Sequence, residues 1–297
     1  MKAIIMDMDG TLLNAKNEIS SVTLKTLIEL EKQGVTLILA SGRSYTRLLP
    51  YAKQLKMDVY GGFLLEVDGI AIYDMKADKR TVLRQMEYEE IKDLFAMLMQ
   101  LDCESMACFD DGMFDYFPAS IRNIKEKLRK ERQLPESYPW TAGPWDWLAD
   151  MRQGYPNIHY IQSVDEIFGP INKIQIMQDE DVIANLYESL KEKVQGSFEI
   201  FRTCPRQLEI LPLGYSKGKT LLKLMHHFGW KPNDVLAFGD GENDVSMFEV
   251  VEHSFAMANA KEFVKEKAKH VTSSNNEDGI VAGIESVEGK VKCLTYY

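Results

Sequence analysis

Cysteine is scarce in this 297-residue chain, and its four thiols, Cys103, Cys108, Cys204 and Cys293, form no CxxC pair. So few scattered cysteines do not make a disulfide framework, and they point to a reducing, cytoplasmic setting. Histidine is sparse too. The chain has five, and His226 and His227 are adjacent, so on a helix they face different ways. They read as structural or surface groups, not zinc ligands. No apolar run approaches the roughly 18 residues of a membrane span. Met1-Lys2-Ala3-Ile4 leads straight into a strand, which leaves no room for a signal peptide. Positive charge is in deficit: 35 Lys and Arg stand against 45 Asp and Glu, a formal net charge of −10. That balance argues against nucleic acid or an anionic membrane as partner. A small anionic substrate would need a metal or a few basic side chains to meet it. There is no internal repeat and no low-complexity segment.

The rest of the composition is that of an ordinary globular protein, 45% hydrophobic and 27% charged. The length suits one large domain or two ordinary ones. The most informative stretch is Ala3 to Thr11, Ala-Ile-Ile-Met-Asp-Met-Asp-Gly-Thr. A short apolar run, the pattern of a buried strand, stops at Asp7 and Asp9, with a turn at Gly10-Thr11. Two carboxylates at the end of a buried strand are costly unless a cation or a proton relieves them. A divalent metal with a phosphoryl group accounts for the pair; a strand-end turn with solvated carboxylates is the alternative.

The pattern recurs. Ser20 or Ser21 can cap a helix that carries Leu24, Leu27 and Ile28 and ends at Gly34. Val35 to Ala40 then reads as a strand stopping at Ser41-Gly42-Arg43, the βαβ order of a parallel sheet. Val59 to Tyr73 reads as further strand, interrupted at Asp68-Gly69. Near the C-terminus, Ser216 can cap a helix over Lys217–Phe228 with Gly229 as its stop, and Val235–Phe238 is a strand ending at Gly239-Asp240-Gly241-Glu242-Asn243-Asp244. His253–Met257 and His270–Thr272 read as short strands on either side of a helical Lys261–Lys269. Between these parts, helices are expected over Tyr88–Leu101, Ile121–Arg132 and Asp181–Val194, and strands over Ile171–Met177 and Phe198–Arg202. An aromatic stretch with Trp140, Trp145 and Trp147 lies between Pro135 and Pro156. The expected architecture is α/β, a Rossmann-like parallel-sheet core formed by 1–83 and 203–297, with an inserted α+β domain at 84–202.

Asp7/Asp9, Ser41-Gly42 and Asp240/Asn243/Asp244 each follow an apolar strand. The carboxyl ends of parallel strands share one sheet edge, where ligands bind, so distant segments can converge there. Lys217 at a helix start adds a fixed positive charge. Hard carboxylate oxygens suit Mg²⁺, and a hydroxyl, backbone N–H groups and a lysine suit phosphate oxygens.

Asp7-Met8-Asp9-Gly10-Thr11-Leu12, Ser41-Gly42-Arg43, Ser216-Lys217-Gly218 and Gly239-Asp240-Gly241-Glu242-Asn243-Asp244 resemble, in order and spacing, the four motifs of the haloacid dehalogenase-like hydrolases. Ala256-Met257-Ala258-Asn259-Ala260, Asn275-Asn276-Glu277-Asp278-Gly279 and the long insertion resemble the Cof-type branch with its type IIB α+β cap. The resemblance covers nearly the whole chain. It implies a Mg²⁺-dependent phosphomonoester hydrolase acting on a small phosphorylated metabolite, with a sugar phosphate as the default and flavin mononucleotide or pyridoxal phosphate as others, through an aspartyl-phosphate. It makes Asp7 the nucleophile, Asp9 the general acid and base, and Lys217 the neutralising cation. The metal would be held by the Asp7 carboxylate, the Asp9 carbonyl and the Asp240 carboxylate, with Asp244 supporting its waters. Ser41 and the Gly42 N–H would bind the phosphoryl group, and Asn243 would bind it or orient the metal shell. Arg43 would brace its loop. Asp68 stands where the branch usually has Asn, either as an added carboxylate at the cleft or as a simple replacement in the turn. The tryptophans, like Met97, Met99 and Met106, read as packing groups, with substrate stacking as the alternative for the Trp-rich segment. A phosphomutase or a catalytically silent metabolite-binding protein is compatible with the same motifs. A monomer or small homo-oligomer is expected.

Overall fold

The computed structural model describes residues 1–294, and side chains as far as residue 287, so Cys293 lies outside the described side chains. Two compact units result, Met1–Leu83 with Tyr215–Tyr297, and Arg84–Gly214.

In the first unit β1 (Ala3–Asp7) is buried along its whole length. The Ser20 hydroxyl accepts the Thr23 N–H and starts α1 (Ser21–Lys32); β2 (Thr36–Ala40) follows. Two short helices come next, α2 (Tyr45–Gln54) and α3 (Met57–Tyr60). Val59 and Tyr60 therefore lie in a helix, not in the expected strand. Their side chains are 68% and 43% exposed, so no sheet face draws on their β propensity. The strand signal proves correct from β3 (Phe63–Glu66), through a tight turn at Val67–Gly69, into β4 (Ala71–Asp74), and β5 (Lys79–Val82) completes the edge.

The second unit contains α4 (Tyr88–Leu98), β6 (Glu104–Phe109), β7 (Gly112–Tyr116), α5 (Ala119–Glu131), β8 (Asn157–Tyr160), β9 (Lys173–Met177), α6 (Glu180–Val194), β10 (Phe198–Cys204) and β11 (Gln207–Pro212). Its sheet runs β10-β11-β9-β6-β7-β8, antiparallel except between β7 and β8. The expected boundary after residue 202 falls inside the β10–β11 hairpin, because β11 pairs with both β10 and β9. Side chains alternate across the sheet with period two. Ala107, Phe114, Ile174, Ile176, Leu208 and Ile210 pack against Ile91, Phe95, Ile183 and Leu190 of α4 and α6. On the opposite face Met106, Cys108 and Met177 pack with Ile121, Trp147 and Tyr155.

The chain then returns to the first unit with α7 (Lys217–Phe228), β12 (Val235–Gly239), α8 (Val245–Phe248), β13 (His253–Ala256), α9 (Glu262–Lys265), β14 (His270–Val271) and α10 (Gly279–Leu294). Its eight-stranded sheet runs β14-β13-β12-β1-β2-β3-β4-β5. All neighbours are parallel except β3–β4 and β4–β5. The alternation along β1 shows the layering. Ile4 and Met6 pack with Leu27 of α1, Leu48 of α2 and Ile284 of α10. Ala3 and Ile5 pack with Leu221 of α7, Phe248 of α8 and Val264 of α9. Both faces of the sheet are covered by helices, as a doubly wound α/β core requires. Among the described residues no helix is long and apolar enough to cross a membrane.

Candidate active site

β2, β1 and β12 are adjacent and parallel, with Asp7 opposite Ala40 and Met6 opposite Phe238. Their carboxyl ends therefore lie together on one edge of the first unit's sheet, and three polar loops leave from there. Asp7 ends β1 and is 8% exposed. Its Oδ1 accepts a hydrogen bond from Lys217 Nζ at 2.5 Å. Lys217 is the first residue of α7, fully buried, and also donates to Asp244 Oδ1 at 2.7 Å. α7 can come this close because residue 218 is glycine. A Cβ there would sit 1.8 Å from the Ser246 carbonyl oxygen.

Asp244 holds its own loop in shape. Its Oδ2 accepts the N–H groups of Asp240 and Gly241, both at 2.9 Å. Asp240 accepts the Thr11 hydroxyl at 2.7 Å. The turn after β1 is tight against it: Gly10 has φ +85°, and a Cβ there would lie 2.3 Å from Asp240 Oδ2. A side chain is thus excluded at Gly10 by both the backbone and the contact. Among the described residues, Asp7, Asp240 and Asp244 bring carboxylate oxygens within 4.8 Å of one another.

The other sequence-derived residues fall around this cluster. Asn243 donates through Nδ2 to Asp68 Oδ1 at 2.7 Å. Asp68 is buried with φ +53°, a backbone conformation that Asp tolerates. Its N–H donates to the Ser41 carbonyl at 2.9 Å, and its Oδ1 lies 3.9 Å from Lys217 Nζ. Asp68 Oδ2 has no hydrogen-bond partner among the described residues. Ser41 is buried and its hydroxyl accepts the Arg43 N–H at 3.2 Å; Gly42 follows it, half-buried. Asp9 points differently from Asp7. Its side chain is 55% exposed and is gripped by Arg43, whose Nε donates to Oδ2 at 2.8 Å and whose second nitrogen donates to Oδ1. The Thr11–Asp240 and Arg43–Asp9 contacts are ones that the motifs alone do not specify. Each lies inside a motif, so the signal was present, but only the fold supplies the partner.

The charges do not balance. Among the described residues, Asp7, Asp68, Asp240 and Asp244 face one ammonium, Lys217. Burial first, and then the Asp244 charge, raise the Asp7 carboxyl well above the usual range, against the opposing pull of Lys217. Burial and Asp244 also push Asp240 up to about 7. Lys217 is driven the other way. Burial works against its charge, but Asp244, Asp7 and Asp68 outweigh it and raise its pKa. The cluster is short of positive charge and rich in hard oxygen donors, the donor chemistry of Mg²⁺.

In the second unit, Trp147 is 8% exposed and Trp145 74%. Trp140 packs under Arg129, 4.3 Å from its ring centroid. Arg202 pairs with Glu180 at 3.3 Å and donates to the Pro205 carbonyl at 2.9 Å.

The profile of the haloacid dehalogenase-like hydrolases matches residues 4–284. The chain is 27% identical, over 97% of its length and 98% of the relative's, to the 5-amino-6-(5-phospho-D-ribitylamino)uracil phosphatase YwtE of Bacillus subtilis. It is 26% identical to the pyridoxal phosphate phosphatase YbhA of Escherichia coli, over 96% and 98% of the two chains. A solved haloacid dehalogenase-like hydrolase from Bacteroides thetaiotaomicron superposes with a TM-score of 0.71 at 29% identity, covering 96% of this chain and 99% of that one. With this match over nearly its whole length, the chain belongs to the haloacid dehalogenase-like hydrolases, in their Cof-type phosphatase branch.

Proposed function

We propose that the protein is a Mg²⁺-dependent phosphatase of small phosphorylated metabolites, a sugar phosphate by default, working through an aspartyl-phosphate on Asp7. The observation that carries this reading is the buried Asp7 carboxylate held by Lys217 beside Asp240 and Asp244. The Asp7 and Asp240 carboxylates and the Asp9 carbonyl would hold the metal, with Asp244 behind them. When bound, it would offset charge on the phosphoryl oxygens. Lys217 fixes the Asp7 carboxylate and opposes the burial that raises its pKa, and the bound metal would add to that pull and favour the anion needed for attack. An Asp7 oxygen forms a bond to phosphorus as the bond to the leaving oxygen breaks, and Asp9 gives that oxygen a proton. Asp9 then takes a proton from the water that cleaves the aspartyl-phosphate, releasing inorganic phosphate and restoring Asp7. Ser41, the Gly42 N–H and Asn243 hold phosphoryl oxygens, and the inserted unit serves as the cap that selects the leaving group.

The test is a panel of phosphorylated metabolites and p-nitrophenyl phosphate assayed with the purified protein. Excess EDTA should abolish turnover, Mg²⁺ should restore it, and Ca²⁺ should support it poorly, because its longer bonds and larger coordination sphere suit in-line attack less well. Full activity in excess chelator would remove the metal from the reading. An untouched panel with Mg²⁺ present would remove hydrolysis.

A further inference from the structure

The turn that carries Asp9 is fastened from the far end of the chain. Its own backbone supplies three bonds, Leu12 N–H to the Asp7 carbonyl at 3.2 Å, and Thr11 and Leu13 N–H to the Met8 carbonyl at 3.4 and 2.9 Å. None of these uses the outward carbonyls of Gly10 and Leu13. Asn259 donates through Nδ2 to the Gly10 carbonyl at 2.9 Å. Asn275 donates through Nδ2 to the Leu13 carbonyl at 2.7 Å. The two residues are tied to each other, since the backbone N–H of Asn275 donates to Asn259 Oδ1 at 3.1 Å. That bond fixes which way the Asn259 amide faces, leaving its NH₂ on Gly10. A separate tie lies further along the same loop, where the Ala15 N–H donates to Asn276 Oδ1 at 2.9 Å.

We propose that Asn259 and Asn275 are positioning residues for the metal site, clamping the Gly10–Leu13 turn so that the Asp9 carbonyl and the Thr11–Asp240 contact are set before Mg²⁺ arrives. The inference rests on the proposed metal set of Asp7, Asp9 and Asp240. Gly10 sits between the Asp9 carbonyl and Thr11, and with φ +85° it has the backbone freedom of a glycine. The clamp removes that freedom. An unclamped turn must be ordered by the cation itself, and the ordering is subtracted from its affinity. Outer partners that orient metal ligands typically change affinity by about 10–100-fold when removed. Asn259 and Asn275 act one bond further out, so the lower end of that range applies. Asn276 holds the loop at Ala15, beyond the turn, and serves as the matched control.

The experiment measures Mg²⁺ binding to substrate-free protein by calorimetry, with amide hydrogen exchange across residues 11–13 on the metal-free protein. Asn259→Ala and Asn275→Ala should each raise the Mg²⁺ dissociation constant about tenfold and speed exchange at Leu12 and Leu13. Asn276→Ala should leave both within about twofold while costing comparable thermal stability. Asn259→Asp keeps the acceptor for the Asn275 N–H and lacks the donor for Gly10, so it should behave as Asn259→Ala does and covers the case in which the alanine variant does not fold. Wild-type affinity and exchange in the Asn259 and Asn275 variants would overturn the clamp and leave the metal reading standing. An equal loss in Asn276→Ala would also overturn it, by showing general loosening. No saturable Mg²⁺ binding in the wild type would overturn the metal reading and the clamp with it.

Discussion

Asp7 and Asp9 are two residues apart and chemically alike, yet one is buried against Lys217 and the other is half-exposed against Arg43. Their variants should separate accordingly. Asp7→Asn should abolish turnover and any trappable aspartyl-phosphate, since an amide is a poor nucleophile; near-normal activity would remove Asp7 as nucleophile. Asp9→Asn should retain Mg²⁺ binding and lose roughly 10²–10⁴-fold in turnover of alkyl phosphates. The loss should shrink for p-nitrophenyl phosphate, whose leaving group needs little protonation, and an equal loss on both substrates would argue against Asp9 as the acid. Glu31 on α1 offers a test of stability. It is 4% exposed, both carboxylate oxygens lack partners among the described residues, and burial, with Asp58 nearby, pushes its pKa up to about 8. Its folded pKa is above the unfolded value of 4.5. The folded state therefore keeps a proton that the unfolded chain has released, and stability falls as pH rises between those two values, levelling off above the upper one. Glu31→Gln removes that loss. Thermal denaturation should show a gain of at least about 3 °C at pH 8 and little or none at pH 4.5; equal gains at both would refute the assignment.

Elements were legible where local chemistry and burial agreed. α7 begins and ends at the residues its Ser216 cap and Gly229 stop indicate. β1 and β12 read clearly because a strand buried on both faces is continuously apolar. In the second unit β9 and β10 match the expected strands, while the other strands were hidden. β6 carries Glu104 and Ser105, and β11 carries Gln207 and Glu209, all buried, and such residues look like loop until their partners are known. Glu104 is paired with Lys125 of α5, and Glu209 with Lys173 of β9 at 2.7 Å, partners distant in the chain. The same distance hid part of the site. The motifs marked Asp7, Lys217, Asp240 and Asp244, but the Asp68–Asn243 bond and the tail asparagines join segments with no local pattern in common. At this scale the contact of α7 with the Ser246 backbone makes Gly218→Ala informative. The added methyl must displace the helix start, at about 1–3 kcal/mol of overpacking, and Lys217 moves with it. Turnover should fall more than substrate affinity, and an unchanged kcat would show that the helix start accommodates the methyl.

For the whole molecule, the division into two units makes the proposed separation of chemistry from selection testable. Replacing residues 84–214 by a short Gly/Ser linker should leave weak Mg²⁺-dependent hydrolysis of p-nitrophenyl phosphate and erase the ranking among natural phosphoesters. A folded remnant that kept the intact protein's ranking would place selection in the core loops. The sheet order has a further consequence, for biosynthesis. β1 is central, and its neighbour β12 is encoded beyond the whole second unit, with Met6 pairing to Phe238. At about 5–20 residues per second on the ribosome, β1 and β2 wait on the order of tens of seconds with one flank of the sheet unfilled. The contiguous stretch 84–214 can meanwhile complete its own sheet. The nascent chain thus passes through a stage with a finished insert and an open, apolar strand edge, the kind of surface on which holdase chaperones act and misassembly begins.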